Sequence, residues 1–304
     1  MTTPEQSSPN RIFITGATGF VGSALVSALG DRPLRLLVRD VDKFRDLESQ
    51  HIEVVEGDVT DAGSLRETML GCSTVIHLVA IIEESGNRSF DQVIRQGTEN
   101  AINEARASGV RRFIQMSALG AANLPNFPYH QSKWRAEEAV RASGLDWTIV
   151  RPSIIFGPGD GFITTLAGVV RTFPILPVVG DGTSRFQPIA VEDVAASLVS
   201  TLDTPNTIGG IYELGGPDIL TYEELLQLIA KHLGKTRRAI HIPVPLMRAV
   251  VSASKPLPKK LRPPVTHDQL RMLALDNTTA NSATERLIGH PPRTLRDNLG
   301  YIDR

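Results

Sequence analysis

Thr15-Gly16-Ala17-Thr18-Gly19-Phe20-Val21-Gly22 is the stretch on which the fold turns. It follows a short apolar run, Arg11-Ile-Phe-Ile-Thr15, and leads into Phe20 to Leu29, where Val21, Leu25 and Leu29 share one helical face. The stretch is therefore a strand–turn–helix junction with glycines spaced G-x-x-G-x-x-G. Gly16 permits the tight turn, Gly19 lets the backbone approach a pyrophosphate, and Gly22 allows the helix to pack closely. The helix N-terminus adds unpaired N–H groups and the positive end of its dipole. In this context the motif predicts a dinucleotide site built from Gly16, Thr18, Gly19, Phe20, Val21 and Gly22.

Outward from the turn the alternation repeats. Leu34 to Val38, Ile52 to Val55, Thr74 to Leu78, Arg112 to Met116 and Trp147 to Arg151 read as further buried strands. Ser64 to Leu70, Phe90 to Ser108 and Tyr129 to Ser143 read as helices between them, the last two stopped by Gly109 and Gly144. Strands alternating with helices in this way predict an α/β chain, a doubly wound parallel sheet with right-handed crossovers. After Pro152 the pattern loosens. Phe162 to Thr172, Val191 to Leu202 and Thr221 to Leu233 read as helices, and Ile211 to Leu214 as a strand. Thr221 with Glu224 three positions on forms a capping box. The expected organisation is a flexible tail over 1–10, a dinucleotide-binding domain over 11–152, and a smaller substrate or docking lobe over 153–304 with some elements returning to the main domain.

Composition narrows the classes. Of 304 residues, 41% are hydrophobic and 21% charged, an ordinary globular balance, and the net charge of −1 argues against a nucleic-acid binder. The lone Cys72 excludes an intramolecular disulfide framework and a cysteine-based zinc site, and the seven histidines show no metal-ligand spacing, so no metal is expected. The first ten residues lack the basic start and apolar run of a secretory signal. No apolar run approaches the ~20 residues needed to span a bilayer. A soluble, cytoplasmic chain is expected.

The end of the second strand discriminates between dinucleotides. An acidic side chain there favours NAD, and an arginine suits the extra phosphate of NADP. The chain reads Val38-Arg39-Asp40, so Arg39 points to NADP, with Asp40 as a competitor that leaves NAD open. Asp58, with Val59, follows the third strand beside the expected adenine site, where it accepts from the adenine or caps the next turn. Ala80 opens the loop after the fourth strand.

Tyr129-His-Gln-Ser-Lys133 sets a tyrosine and a lysine four apart, on one face of a helix. A phenol with a pKa of about 10 is a poor acid–base catalyst at neutral pH, and a nearby ammonium pulls that value down. Ser117, just past the fifth strand, is placed to donate to a substrate carbonyl. The order strand, serine, Tyr-x-x-x-Lys, strand is more specific than any one of its parts. Substrate contacts are expected from the loops over 80–87, 119–128 and 157–162.

With these residues in place, the chain resembles the short-chain dehydrogenase/reductase superfamily, in its extended or atypical, epimerase/dehydratase-like branch. The resemblance implies a Rossmann-type sheet, catalytic roles for Ser117, Tyr129 and Lys133, a ribose contact from Lys133, an adenine contact from Asp58, and Pro152 and Ser153 lying against the nicotinamide. Tyr129 to Glu138, Gln187 to Asp193 and Asp276-Asn277 further resemble the nucleotide-binding accessory subunit of respiratory complex I and its bacterial relatives. Three roles follow from these likenesses: an NADP(H)-dependent oxidoreductase of an unidentified small molecule, a non-catalytic nucleotide-binding assembly or accessory subunit, or a sugar-nucleotide epimerase or dehydratase. Ala118-Leu119-Gly120 after Ser117 departs from the pattern of the last.

One segment stands apart. From Leu225 to His267 there is no acidic residue, while Lys231, Lys235, Arg237, Arg238, Arg248, Lys255, Lys259, Lys260 and Arg262 fall inside it. The segment also holds an apolar-rich stretch, Val244 to Ser254. Such a segment suits an anionic membrane surface, an acidic protein partner, or simply a solvated face.

Overall fold

The glycine turn falls between β1 (Arg11–Thr15) and α1 (Phe20–Leu29), as the spacing requires. The computed structural model describes residues 11–86, 88–254, 256, 263 and 265–303. The expected tail over 1–10 lies outside them. After α1 come β2 (Leu34–Val38), β3 (Ile52–Glu56), β4 (Cys72–His77), α2 (Gly97–Ala107), β5 (Arg112–Met116), α3 (Pro128–Arg141) and β6 (Asp146–Pro152). The chain continues through β7 (Ile155–Phe156), α4 (Phe162–Thr172), β8 (Leu176–Val179), β9 (Arg185–Phe186), β10 (Ile189–Ala190), α5 (Val191–Asp203) and β11 (Ile211–Leu214). It closes with β12 (Leu220–Thr221), α6 (Tyr222–His232), β13 (Ala239–Ile242), α7 (Val244–Ala253), α8 (His267–Met272) and α9 (Thr284–Ile288).

The main sheet has seven strands in the order β11-β6-β5-β4-β1-β2-β3, and β1 to β6 pair in parallel. This is the doubly wound Rossmann-type α/β sheet expected from the alternation, reversing direction between β1 and β4 where such folds bind ligands. Phe13, Val75 and Phe113 on neighbouring strands are fully buried and pack with Leu65, Met69, Ala101, Ala105 and Val140.

The chain divides into two compact units. The first comprises the residues up to Arg151 together with Ala195–Tyr212. The second comprises Pro152–Val194 and the residues from Glu213 onward. Its strands pair two by two, and its core is Phe156, Ile163, Leu166 and Val170 against Leu225, Leu226, Ile229, Leu295 and Leu299. The Thr221–Glu224 capping box forms at the start of α6.

Three local expectations are corrected. Ser64 to Leu70 is a series of turns, because Glu67 adopts φ +62° and its neighbours bond three apart: Thr68 N to Leu65 O and Leu70 N to Glu67 O. The expected helix from Phe90 to Ser108 is a π-helical segment, Asp91–Gln96, running into α2. Leu176–Val179 and Ala239–Ile242, read as irregular chain, pair as the parallel strands β8 and β13.

Candidate functional site

The glycines act through space as well as conformation. Gly16 has φ +75°, and a Cβ on Gly22 would lie 2.1 Å from the Gly16 carbonyl oxygen and 2.6 Å from the backbone of Ala17. Only hydrogen at Gly22 lets α1 start this close to the turn. Gly19 is the N-cap of α1, with no side chain capping it and no acidic residue in the first turn. Thr18 and Gly19 are exposed, Phe20 is half-buried and Val21 is buried. The helix start thus offers its first N–H groups to an anion with no carboxylate in competition, which fits a dinucleotide pyrophosphate.

Arg39 lies exposed just past β2, and Asp40 is tied back by Lys43, whose Nζ is 2.5 Å from its carboxylate. The Lys43 pairing holds the Asp40 carboxyl below its ordinary range. Asp58 is committed within the protein: one carboxylate oxygen accepts from Thr60 N and Oγ1 at 2.9 Å each, the other from Arg88 at 2.9 Å. It therefore caps its own turn. Val59 is buried where a Cβ on Gly97 would come within 2.9 Å of it. Ala80 is partly buried against Phe90, Ile94 and Ala136.

Ser117 leaves the end of β5 with its backbone N–H bonded to Val150 O. Its hydroxyl is buried with no protein partner. Tyr129 and Lys133 lie one turn apart on α3. The Tyr129 ring meets Phe90 edge-on at 5.7 Å and His130 at 5.4 Å. Lys133 is only 1% exposed, and its ammonium donates to the carbonyl of Met116, the residue before Ser117, at 3.0 Å.

Burial sets the protonation of both groups. It lowers the Lys133 ammonium to about 8, and the Glu137 carboxylate one turn on opposes the drop. Glu137 is itself fully buried and held by Arg151 at 2.6 Å and 2.9 Å. The Tyr129 phenol is pushed up to about 12 by burial, opposite in direction to the lowering expected from Lys133.

Sequence reasoning missed a row of polar side chains beneath these groups. Thr15, His77 and Gln115 are register partners across β1, β4 and β5, and all three are fully buried. Thr15 Oγ1 and His77 Nδ1 share a hydrogen bond of 2.8 Å. Gln115 Nε2 donates to the Met116 carbonyl at 3.2 Å, the same oxygen that accepts from Lys133. His77 Nε2 and Gln115 Oε1 have no partner. Burial, with the charge of Lys133 second, drops the His77 imidazole to about 3, so it is neutral. The polar ends of otherwise apolar strand runs were the available signal.

Pro152 and Ser153, expected against the nicotinamide, belong to the second unit. The Ser153 hydroxyl donates to the Asn277 side chain at 2.6 Å and lies 3.0 Å from its backbone oxygen. Asp276 holds Arg185, and Gln187 bridges Gly216 O and Thr279 N. Two of the three segments that carry the narrower likeness, Gln187 to Asp193 and Asp276-Asn277, therefore tie the second unit together internally, while Tyr129 to Glu138 lies in α3 of the first.

Residues 16–205 match the NAD(P)H-binding family. A ceramide reductase of Caulobacter vibrioides is 39% identical over 77% of this chain and 74% of its own. Subunit 9 of the NADH dehydrogenase alpha subcomplex of Arabidopsis thaliana is 30% identical over 89% of this chain and 71% of its own. Among solved structures, the dTDP-glucose 4,6-dehydratase DesIV of Streptomyces venezuelae, with NAD and TYD bound, superposes with a TM-score of 0.72 at 22% identity over 95% of this chain and 94% of its own, a likeness of fold. The chain belongs to the NAD(P)H-binding Rossmann family, in its extended short-chain dehydrogenase/reductase and epimerase-like branch.

Proposed function

We propose that the protein is an NADP(H)-dependent oxidoreductase that interconverts a carbonyl and a hydroxyl on a lipid-like small molecule. The observation that carries this reading is the Ser117 hydroxyl, sealed from water without a protein partner, at the strand end whose preceding carbonyl receives Lys133. A buried unpaired hydroxyl is costly unless something binds it, and a substrate carbonyl is a matching acceptor. The ceramide reductase likeness supports a lipid-like substrate.

NADPH, when bound, supplies the hydride for the carbonyl carbon. The chain's own residues do the rest. Ser117 donates a hydrogen bond to the carbonyl oxygen and polarises it. Tyr129 delivers the proton that the oxygen takes up, and recovers one from solvent after product leaves. Lys133, held by Met116 O and kept cationic at neutral pH by Glu137, stabilises the transient phenolate and would hold the nicotinamide ribose. The glycine turn would hold the pyrophosphate, and Arg39 the extra phosphate, with Asp40 already taken by Lys43.

The test is a fluorescence titration with NADPH and NADH, followed by turnover of a panel of long-chain ketones. Tighter binding of NADPH, weakened roughly tenfold or more by Arg39→Ala, is expected from loss of one charge-assisted phosphate contact. Tyr129→Phe should lower kcat ~10²-fold or more while leaving NADPH affinity intact. Full activity in that variant overturns the assignment of Tyr129. NADPH binding without turnover of any ketone moves the protein to a nucleotide-binding accessory role.

A further inference from the structure

The helix α7 has apolar residues on two opposite sides. Val251 is buried, and Val244 and Met247, on the same side, are half-buried. Leu246, Ala249, Val250 and Ala253 recur at i, i+3, i+4 and i+7 and are all exposed, Leu246 by 56% and Val250 by 45%. A surface helix ordinarily turns a polar face outward. Here the outward face is an apolar stripe two turns long.

The charge along the sequence around that stripe has one sign, and the acids brought near the start of α7 include Asp181, beside Gly180, and Glu223, paired with His241 at 3.1 Å. No acidic residue occurs from Leu225 to His267. Lys231, Arg238 and Arg248 are exposed, and Lys235 and Arg237 half-buried. Lys255, Lys259, Lys260 and Arg262 follow α7 in sequence and lie outside the described residues. The acids that bound the segment are engaged: Glu224 by the Thr221 cap, and Asp268 by Arg271 at 3.7 Å. Among the described residues no helix is long and apolar enough to cross a membrane.

We infer that α7 docks the protein onto an anionic lipid bilayer, with Leu246, Ala249, Val250 and Ala253 entering the interface and the surrounding lysines and arginines pairing with lipid headgroups. An apolar stripe supplies the burial and the excess of basic side chains along the segment supplies the attraction, the two requirements of a reversible interfacial helix. An acidic protein surface would satisfy the charge but would need an apolar groove matched to the Leu–Val stripe, whereas a bilayer interface accepts it without shape complementarity. This inference is independent of the reaction proposed above.

Flotation of the full chain with vesicles tests it. Vesicles of phosphatidylcholine with phosphatidylglycerol should carry the protein roughly tenfold more than phosphatidylcholine alone, and high salt should release it. Leu246→Glu with Val250→Glu should abolish flotation while circular dichroism and the unfolding midpoint stay unchanged. If that pair unfolds the chain, Leu246→Ser with Val250→Ser is read in the same way. Wild-type protein that stays with the dense fraction, or variants that float equally, overturn the inference. So does capture by immobilised polyglutamate without flotation, which assigns the segment to an acidic protein.

Discussion

The two compact units differ in how far they satisfy their buried polar groups. In the second unit the buried carboxylates and hydroxyls are well supplied with partners, and among the described residues one side-chain atom, Arg237 Nε, is buried without one. Asp193, fully buried, accepts from both the backbone and the guanidinium of Arg293. Asp160 accepts from Gly157 N, Thr164 N and the Tyr301 hydroxyl, and Thr284 donates to Gly215 O at 2.9 Å. In the first unit six such atoms are buried without partners among the described residues. Arg11 Nε and Arg35 Nε lie at the starts of β1 and β2, while His77 Nε2, Gln115 Oε1, Ser117 Oγ and His130 Nδ1 cluster near the ends of β4 and β5 and the helix that carries Tyr129 and Lys133. Unmade hydrogen bonds cost free energy, so a cluster of four at one place points to a ligand that completes them. The contrast is one of clustering: four unpartnered groups gather around the candidate site of the first unit, and no such cluster occurs among the described residues of the second.

The largest expected effect tests the first unit. Burial keeps His77 neutral down to about pH 3, whereas an unfolded histidine takes up a proton near 6.5. Between those values the unfolded chain binds the extra proton, so stability falls as pH drops through the window. His77→Gln removes the titration and keeps an acceptor for Thr15. Urea unfolding at two pH values should show the wild type losing roughly 3 kcal/mol more than the variant between pH 6.5 and about pH 4. Parallel acid profiles would mean that His77 titrates as if exposed, and the contrast would weaken.

A smaller effect tests the second unit. Asp193→Ala leaves the Arg293 backbone N–H without its acceptor and should cost about 2 kcal/mol by denaturant unfolding, with cofactor affinity unchanged. The smallest effect sharpens the comparison most. Ser117→Ala deletes a hydroxyl that makes no bond, so the unfolding free energy should hold or rise by up to ~1 kcal/mol while turnover falls. A clear loss of stability would show that Ser117 is structural.

Much of the fold was legible because glycine and periodicity carry it. The G-x-x-G-x-x-G turn placed β1 and α1, and apolar runs placed the remaining strands of the parallel sheet to within a residue or two. What was missed had a physical reason in each case. Glu67 in the left-handed region breaks a stretch whose composition suits a helix. Pro177 inside Leu176–Val179 argues against a strand, yet a two-stranded sheet with an open edge admits it. Ser117, Tyr129 and Lys133 were legible by spacing. The row Thr15–His77–Gln115 was not, because it exists only through the register of three strands distant in sequence. The effect of burial on the Tyr129 phenol was equally invisible in a spacing argument.

The π-helical segment Asp91–Gln96 has a consequence for chain length. It sits between Phe90, whose ring meets Tyr129, and α2, and it packs against α3. A π turn holds more residues than an α turn over the same rise, so the segment carries a surplus that ordinary helical winding would not need. Removing one residue there would not simply shorten the helix. It would let the backbone rewind as ordinary helix, closing the wide turn beside Phe90 while keeping the flanking residues nearly in phase. The segment thus works as a local store for one residue, placed next to the ring that meets Tyr129.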